Sequence, residues 1–493
     1  MTGTATTSST SEPPALTRRE MLAAAAASAL ALDRGVQRSS AAPGAAVTWD
    51  AVAPLFAAKC AGCHQEGGIA PFSLTSAQSA HKYAPLILQM TQANEMPPWM
   101  PGPDSPAYLH QDQRILTSAE KSLIARWVKS GAKLGSAHPI KPITAPSTAP
   151  GTTRTIQVAR AYRPHPIGGG TDDYHCFLLD PKLTQNAFVT SATIAPQNEG
   201  IVHHVILFDA SGANVADARA LNAKSGGKGW TCFGGPGLSE TRASADTASS
   251  DRLGAPQWIT AWVPGHTTYE LPQGTGVLVH AGDLVVMQVH YNLLHDPTGK
   301  LTDRSKVELK TTPAAGANLT PLDTYLLPAP VELPCPKGVH NTLCNRNAEF
   351  QDEVKKYGSD AAFISVGLLV LCHEQLQQVQ GDTTTCTRTV NRPLKIYGVA
   401  GHMHLRGQDI RITLNGQTLL HIPHWQFHWQ DAYYLQQPVD ANVGDKLTVT
   451  CRFDNSRAHQ PFVNGKQMTP RYVLWGEGTT DEMCLGLLQT ADR

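Results

Sequence analysis

The stretch Ile201-Val202-His203-His204-Val205-Ile206-Leu207-Phe208 is apolar apart from its two adjacent histidines. Short apolar runs of the same kind recur at residues 187–194, 284–290, 394–399 and 446–453, most of them bounded by Gly, Pro, Asn or Asp. Such runs, separated by turn residues, predict the short strands of β-sandwiches. The composition agrees with this, because only 16% of residues are charged while Gly (41) and Pro (35) are plentiful.

The length and charge of the chain limit its class. Its 493 residues leave room for roughly two to four domains. The 40 acidic and 40 basic residues balance, so the net charge gives no reason to expect a nucleic-acid partner. No apolar run is long enough to predict a membrane span.

The run Cys60-Ala61-Gly62-Cys63-His64 is the C-x-x-C-H signature of a covalently attached c-type haem. Cys60 and Cys63 are expected to form thioethers with the haem, and His64 to supply one axial ligand. Met96 is the candidate for the second axial ligand, with Met90 and Met100 as competitors, since buried methionines are more often core residues. We prefer Met96 because the run CAGCH…GGIAPFSL…MPPW resembles a group of small bacterial cytochrome c domains.

Helical patterns lie on both sides of this motif. Residues 48–59 predict a helix that runs into it, and Thr117 with Glu120 predicts a capping box at the start of another. An apolar stripe at helical spacing follows at Leu123, Ile124, Trp127 and Val128. We therefore predict a small all-α cytochrome c domain over residues 46–136 and a Pro/Ser/Thr-rich linker over residues 137–155.

The N-terminus and the cysteines both indicate export. Residues 1–45 resemble a twin-arginine export signal, because Arg18 and Arg19 precede a weakly apolar, alanine-rich run. The alternative is a disordered N-terminus with a chance pair of arginines. Eight cysteines remain outside the haem motif, an even number that predicts disulfides and a periplasmic or secreted protein. They are Cys176, Cys232, Cys335, Cys344, Cys372, Cys386, Cys451 and Cys484.

Several histidines on the predicted strands are candidate metal ligands. His402 and His404 have the i, i+2 spacing that puts two imidazoles on one strand face. His203 and His204 are adjacent, and on a regular strand they would point to opposite faces. His290 alone after an apolar strand would usually be structural. Each pattern is therefore weak alone, and the interpretation depends on their order.

Taken in order, these motifs resemble the copper type II, ascorbate-dependent monooxygenases, the family of peptidylglycine α-hydroxylating monooxygenase and dopamine β-monooxygenase. The resemblance covers most of residues 170–493. It includes Asp173-Tyr174-His175-Cys176, His203-His204, Gln288-Val289-His290-Tyr291, His402-Met403-His404 and Glu482-Met483-Cys484. It implies a mainly β chain with two β-sandwich domains of jelly-roll type, over residues 156–315 and 316–493, each holding one copper ion.

The resemblance also implies the copper ligands and two disulfides. The electron-transfer copper is expected at His203, His204 and His290. The catalytic, oxygen-activating copper is expected at His402, His404 and Met483. Two imidazoles with a thioether favour Cu(I), the state that meets O₂, whereas three imidazoles accept both oxidation states. The implied disulfides are Cys176–Cys232 and Cys451–Cys484.

The implied reaction is hydroxylation of an organic C–H bond of a small substrate by O₂. It needs two external electrons, from ascorbate or a periplasmic redox protein, and we expect the fused haem to be their inlet. One alternative is a copper and haem electron-transfer protein that keeps the scaffold without the chemistry, although six ligands exceed what a carrier needs. Another is a haem peroxidase, which requires an open iron position.

Three positions depart from the peptide-amidating members of the family. Ala400 stands where an arginine grips the peptide carboxylate, and Leu485 and Leu487 replace an asparagine and a tyrosine that help there. A carboxylate would find no bidentate partner at these positions. We therefore predict that peptides ending in glycine are not substrates.

Residues 330–392 look like a cysteine-rich insertion in the second β domain. The insertion contains a helix-like run over residues 348–357. Its four cysteines are Cys335, Cys344, Cys372 and Cys386, for which three pairings are possible. We predict a two-disulfide clamp; a zinc site is the alternative, although paired C-x-x-C knuckles are lacking.

Overall fold

The computed structural model describes residues 47–493 except 67, 69, 144–146, 167–170, 233–234, 239–255, 264–267, 294–295, 297, 373–380 and 464–465. The predicted export signal over residues 1–45 lies outside the described residues. Backbone contacts group Val47–Arg493 into one unit. None of the helices in the described part of the chain combines the length and the apolar character that a membrane crossing requires.

The N-terminal part of the described chain, residues 47–143, is helical, and we call it the helical segment. Its described residues contain five helices. They are α1 (Trp49–Lys59), α2 (Ala77–Lys82), α3 (Ala84–Gln92), α4 (Gln111–Arg114) and α5 (Ser118–Lys129). The predicted capping box is present, since Thr117 accepts from the Glu120 amide and the Glu120 carboxylate accepts from the Thr117 amide. Trp49, Phe56 and Trp127 pack together with ring centroids 5.3–6.2 Å apart, which joins α1 to α5.

The first β unit consists of two sheets that share one buried core. Its strands are β1 (Thr152–Gln157), β2 (Asp172–Leu179), β3 (Ala187–Ala195), β4 (Val202–Ala210), β5 (Trp230–Thr231), β6 (Trp258–Trp262), β7 (Thr268–Glu270), β8 (Thr275–Val279), β9 (Leu284–Asn292), β10 (Lys306–Pro313) and β11 (Thr320–Pro321), with helix α6 (Ala213–Lys224) after β4. The first sheet has the order β5-β2-β9-β4-β6, and the other β1-β10-β3-β8-β11 with β7 beside β3. Val205 and Met287 of the first sheet lie in the same apolar cluster as Ile194 and Val307 of the second.

The second β unit has two four-stranded sheets and two smaller pairs. Its strands are β12 (Asp323–Ala329), β13 (Glu332–Leu333), β14 (Thr383–Thr389), β15 (Leu394–His402), β16 (Gly407–Leu414), β17 (Gln417–Ile422), β18 (Ala432–Ala441), β19 (Lys446–Phe453), β20 (Phe462–Val463), β21 (Lys466–Gln467), β22 (Val473–Leu474) and β23 (Cys484–Asp492). The larger sheets are β12-β23-β15-β18 and β14-β19-β16-β17, and β13 pairs with β22 and β20 with β21. Leu327 and Val399 of one sheet share a buried cluster with Ile412 and Val449 of the other.

The chain is therefore mainly β, as the short apolar runs predicted, and the runs at residues 187–194, 201–208, 284–290, 394–399 and 446–453 all fall on strands. The linker prediction differs from the structure at one end. Strand β1 begins at Thr152 because its residues pair with β10, so the sheet starts inside the stretch predicted as linker over residues 137–155.

The cysteine-rich insertion carries two disulfides, Cys335–Cys344 and Cys372–Cys386. The alternative of a zinc site is wrong, because disulfide sulfurs are not available as thiolates. The predicted helix is present as α7 (Arg346–Tyr357), and a second helix, α8 (Ser359–Leu371), follows it. Arg471 contacts Glu349 and Glu353 of α7 and Asp481, all four side chains being buried. The insertion is thereby fixed to the segment that leads into Met483.

The helical segment is attached to the second β unit along the edge strand β18. Leu109 N donates to Tyr434 O at 2.7 Å and Gln436 N donates to Ala107 O at 3.0 Å, so a short stretch of the segment extends that sheet edge. Tyr108 Oη also donates to Leu419 O at 2.7 Å. Met100 lies in the core of the second β unit, which explains its burial without a role as a haem ligand.

Candidate functional site

Three histidines meet where β4 lies beside β9. His204 of β4 stands opposite His290 of β9 in the antiparallel ladder. The Nδ1 atom of His204 is 3.1 Å from Nδ1 of His203 and 3.4 Å from Nδ1 of His290. Three nitrogens that converge within 4.8 Å form a group able to hold one metal ion. We call His203, His204 and His290 the three-histidine set.

An irregularity in β4 explains why two adjacent histidines face the same point. The register with β9 shifts between Val202 and His204, which is the mark of a β-bulge. A bulge gives one strand an extra residue and turns its side chain out of the normal alternation. The alternation of a regular strand, which would point His203 and His204 to opposite faces, therefore does not apply here.

The environment of this set keeps His203 and His204 neutral and orients His290. Burial, reinforced by the neighbouring imidazoles, lowers the pKa of His203 and His204 well below the usual value. Asp172 Oδ1 lies 2.9 Å from His290 Nε2, so Nδ1 of His290 is left for the common point. Burial acts to raise the pKa of Asp172, but the hydrogen bonds from His290 and other donors outweigh it and lower that pKa.

A second group forms at the end of β15. His402 is the last residue of β15 and His404 follows two residues later, with their ring centroids 5.1 Å apart. Met483 immediately precedes β23, the neighbouring strand, where Leu485 stands opposite His402. Glu482 Oε2 accepts from the His404 amide at 2.9 Å and from the Met483 amide at 3.3 Å. One carboxylate thus ties together the backbones of the two candidate ligands, and we call His402, His404 and Met483 the methionine set.

The nitrogens of the methionine set suit a metal ion. His402 Nδ1 is 2.5 Å from Gln430 Oε1, an acceptor, so Nδ1 carries the proton and Nε2 keeps its lone pair. Gln430 Nε2 donates to Phe427 O at 2.9 Å, which fixes which end of the amide faces His402. His404 is 1% exposed and its Nδ1 has no hydrogen-bond partner among the described residues. An unsatisfied buried polar group costs about 1–3 kcal/mol, so a ligand at this imidazole would be favoured.

Gln430 provides a test of this geometry. Replacing it with leucine, Gln430→Leu, should weaken metal binding at the methionine set roughly 10–100-fold, because the His402 ring loses the acceptor that fixes its tautomer. The affinity for Cu(I) can be measured by competition with a chelator of known affinity. Gln426→Leu is the matched control, since Gln426 is an exposed residue of the same loop. Equal affinities in both variants would contradict the role of Gln430.

The two sets lie next to each other. The rings of His204 and His402, one from each set, have centroids 6.1 Å apart. Phe427 lies between the two sets, with its ring stacked on that of His203 at 4.3 Å and edge-on to that of His404 at 5.9 Å. Phe427 is 5% exposed and belongs to a single turn of 3₁₀ helix, Phe427–Trp429. The loop that contains this turn therefore contacts both sets.

Two disulfides secure the strands that carry the ligands. Cys451–Cys484 joins β19 to the first residue of β23, directly after Met483. Cys176–Cys232 joins β2 to the residue that follows β5. Both are the pairs that the family resemblance implied. With the two disulfides of the insertion they make four, which is consistent with an extracellular or secreted protein.

The C-x-x-C-H motif follows α1 directly. Cys60 and Cys63 are free thiols, and burial raises the pKa of Cys60 to about 12. His64 Nδ1 lies 3.0 Å from Phe72 O, which leaves its Nε2 for an axial bond. Two free thiols and an oriented imidazole fit the attachment of a haem. Met96 remains a prediction; its amide donates to Met90 O at 3.2 Å.

Comparison with known families bears on the methionine set. Residues 373–489 match the family model described as the copper type II ascorbate-dependent monooxygenase, C-terminal domain. This match supports that family for the chain. The matched residues include His402, His404 and Met483. The helical segment and the first β unit lie outside the match.

Other comparisons add nothing to this match. No curated protein matches the chain. Among solved structures, the VP2 subviral particle of infectious bursal disease virus is 11% identical, with 71% of this chain and 74% of that chain covered, at a TM-score of 0.15. The coconut allergen cocosin is 10% identical, with coverages of 69% and 86%, at a TM-score of 0.12. Such low TM-scores carry no argument about fold.

The sequence patterns missed the residues that orient the ligands, namely Asp172, Tyr174, Phe427, Gln430 and Glu482. Tyr174 and Glu482 stand in stretches that resemble the family, but nothing in those stretches indicates what they contact. Phe427 and Gln430 lie in an aromatic loop with no motif. Their contacts become visible only when distant strands are brought together.

Proposed function

We propose that the chain is a copper-dependent monooxygenase that hydroxylates an organic C–H bond with O₂. The observation that carries the proposal is the adjacency of two different ligand sets, whose nearest rings are 6.1 Å apart. A carrier needs one metal, whereas hydroxylation consumes two electrons and gains from two neighbouring one-electron sites. The match of residues 373–489 to a copper monooxygenase domain supports the same conclusion.

Copper bound at these sets would supply O₂ activation at the methionine set and an electron at the three-histidine set. The protein's own residues prepare both places. Asp172 and Gln430 hold the proton-bearing nitrogens of His290 and His402, so the opposite nitrogens stay unprotonated. The Phe427 ring fills space between the sets, because it packs on His203 and against His404.

The residues beside the methionine set indicate an apolar substrate. Ala400 stands opposite Leu487, and His402 opposite Leu485, in the ladder between β15 and β23. The arginine that would bind a carboxylate is replaced by alanine, so a charged end group has no partner here.

This substrate preference gives a direct prediction. Peptides ending in glycine should show no turnover above background, whereas apolar organic substrates of similar size should be hydroxylated. Product mass spectrometry on a panel that contains both classes, with copper-loaded chain and ascorbate, makes the comparison. Ala400→Arg serves as the reciprocal variant, and efficient turnover of a glycine peptide by the unaltered chain would contradict the prediction.

Electrons are proposed to enter through a haem bound at Cys60, Cys63, His64 and Met96. A haem there would supply a one-electron reservoir on the same polypeptide. Burial raises the pKa of the Cys63 thiol, while the charge of Arg114 acts to lower it and that of Glu199 to raise it. Glu199 precedes the strand of His203 and His204. The charge of a loop that leads to the three-histidine set therefore acts on the haem motif.

Arg114 connects the same motif to the methionine set. Arg114 Nη1 lies 3.0 Å from Asp431 Oδ2, and Asp431 follows Gln430, the residue that contacts His402. Arg114 Nη2 also donates to Pro98 O at 3.3 Å, in the loop of the candidate ligand Met96. These contacts support a docked haem rather than one on a free tether.

The haem inlet is tested by its reoxidation. The haem is reduced without oxygen in the copper-loaded chain, and O₂ is then admitted with and without substrate. We expect fast reoxidation that depends on copper, because the electrons leave through the copper sets. Equal, slow reoxidation with and without copper would contradict the inlet while leaving the hydroxylation proposal to its own test.

A further inference from the structure

Two alternate residues of strand β2 contact the three-histidine set and the segment before Met483 at the same time. Asp172 Oδ1 lies 2.9 Å from His290 Nε2 and accepts from Thr479 Oγ1 at 2.6 Å. Tyr174 stacks on the His290 ring at 4.1 Å, and its hydroxyl donates to Glu477 O at 2.7 Å. Side chains at i and i+2 share one strand face, so both contacts form on the same side of β2.

These contacts are shielded from water. Tyr174 is 3% exposed and Thr479 is 1% exposed. Asn292 Nδ2 donates to Asp172 Oδ1 at 2.9 Å, and the Thr479 amide donates to Asp172 Oδ2 at 3.3 Å. Hydrogen bonds to a carboxylate in such surroundings are stronger than neutral ones at the surface. The arrangement therefore resists separation of the two β units.

The segment beyond Thr479 is fixed just as firmly to the second β unit. Arg406 Nη1 donates to Thr480 O at 2.6 Å, and Arg471 Nη2 donates to the same carbonyl at 3.1 Å. Glu482 then holds the amides of His404 and Met483. A displacement of the Thr479 backbone would consequently be transmitted through this short, hydrogen-bonded stretch to His404 and Met483.

We infer that Asp172, Tyr174 and Thr479 form a bridge between the β units that sets the separation of the three-histidine set and the methionine set. They are positioning residues, since none of them belongs to a ligand set. The inference rests on the proposed function only in assigning a copper ion to each set. Without the bridge, the β units lose the buried hydrogen bonds that keep the ring of His204 beside that of His402.

The double variant Tyr174→Phe/Thr479→Val removes the two hydroxyl hydrogen bonds of the bridge and leaves the contact of the Thr479 amide to Asp172. Phenylalanine keeps the ring stacked on His290 but loses the hydroxyl that reaches Glu477 O. Valine keeps the shape of Thr479 but loses the hydroxyl that reaches Asp172. Asp172 and its contact to His290 are unaltered. Tyr108→Phe/Thr384→Val is the matched control, because these buried hydroxyls also donate to backbone carbonyls, those of Leu419 and Pro330.

The first measurement needs no metal. Amide hydrogen exchange across residues 477–483 should be at least about tenfold faster in the double variant than in the unaltered chain, and unchanged in the control. Thr479→Val alone should show a smaller increase, and Thr479→Ser, which keeps the hydroxyl, should restore slow exchange. Unchanged exchange in the double variant would overturn the inference.

The second measurement uses copper alone as the probe. Dipolar coupling between two bound Cu(II) ions should give one narrow distance distribution in the unaltered chain and in the control. In the double variant the distribution should be about twice as wide, or its mean distance should be longer. Faster exchange with an unchanged distance distribution would overturn the claim that the bridge sets the separation. An unaltered chain that binds no pair of copper ions would contradict the proposed function instead, and the exchange result would still decide the bridge.

Discussion

Replacing Met483 with leucine should abolish hydroxylation, reducing turnover by at least about 100-fold, while one copper ion stays bound at the three-histidine set. Met483 is 5% exposed in the core of the second β unit, and leucine fills nearly the same volume at a cost of under about 1.5 kcal/mol. The fold should therefore survive, and only the thioether is lost. The Cu(I)-favouring character of the methionine set depends on that sulfur.

The measurement combines copper content by elemental analysis with product formation. Met100→Leu is the matched control, because Met100 is buried in the same core and should keep two copper ions and full turnover. If Met483→Leu loses hydroxylation, the monooxygenase reading is favoured. If the variant keeps electron transfer and loses no other activity, the chain is instead a copper and haem electron-transfer protein.

The double variant Cys60→Ser/Cys63→Ser should lose all covalently bound haem and keep two copper ions. Both thiols are free in the structure, and each is needed for one thioether. Haem absorbance retained after denaturation and extraction measures attachment. Hydroxylation driven by a protein donor should fall to background, whereas hydroxylation driven by excess ascorbate should persist.

Gly62→Ala separates the loss of haem from damage to the motif. A Cβ at Gly62 meets no heavy atom within 4 Å, so alanine fits there and haem attachment should remain. Full protein-driven turnover in the serine double variant would show that the haem is not the inlet. Retained covalent haem in that variant would contradict the motif assignment itself.

The strands were predictable where local pattern and tertiary packing agree. The runs at residues 187–194 and 446–453 became β3 and β19 because alternating apolar residues need a shared core. Helix α8 was missed: its sequence is apolar and β-branched residues interrupt it, so periodicity alone did not separate it from a strand. Strand β1 was missed because its pairing with β10 is not visible in a polar stretch.

Spacing and family resemblance pointed to the candidate ligand residues, but not to the residues that orient them. His402 and His404 carry a spacing with a direct physical meaning, and the structure brings their rings together. The convergence of His203 with His204 depends on a bulge, which adjacency in sequence does not reveal. Gln430 acts through a contact to a strand 28 residues earlier in the chain.

The attachment of the helical segment to β18 could not be predicted from the sequence either. It depends on two edge hydrogen bonds, from Leu109 N to Tyr434 O and from Gln436 N to Ala107 O, and on the Tyr108 hydroxyl, which donates to Leu419 O. The backbone N–H and C=O groups at a sheet edge can pair with many different segments, so no sequence pattern specifies this attachment.

The central claim is that the methionine set inserts oxygen from O₂ into a C–H bond. The most direct measurement is mass spectrometry of the product formed under ¹⁸O₂ by the copper-loaded full chain, with an apolar substrate panel and ascorbate. The account predicts one ¹⁸O atom in each product molecule, with no label when Met483→Leu replaces the unaltered chain. A chain that holds two copper ions and consumes O₂, yet places no ¹⁸O in any product, would contradict it.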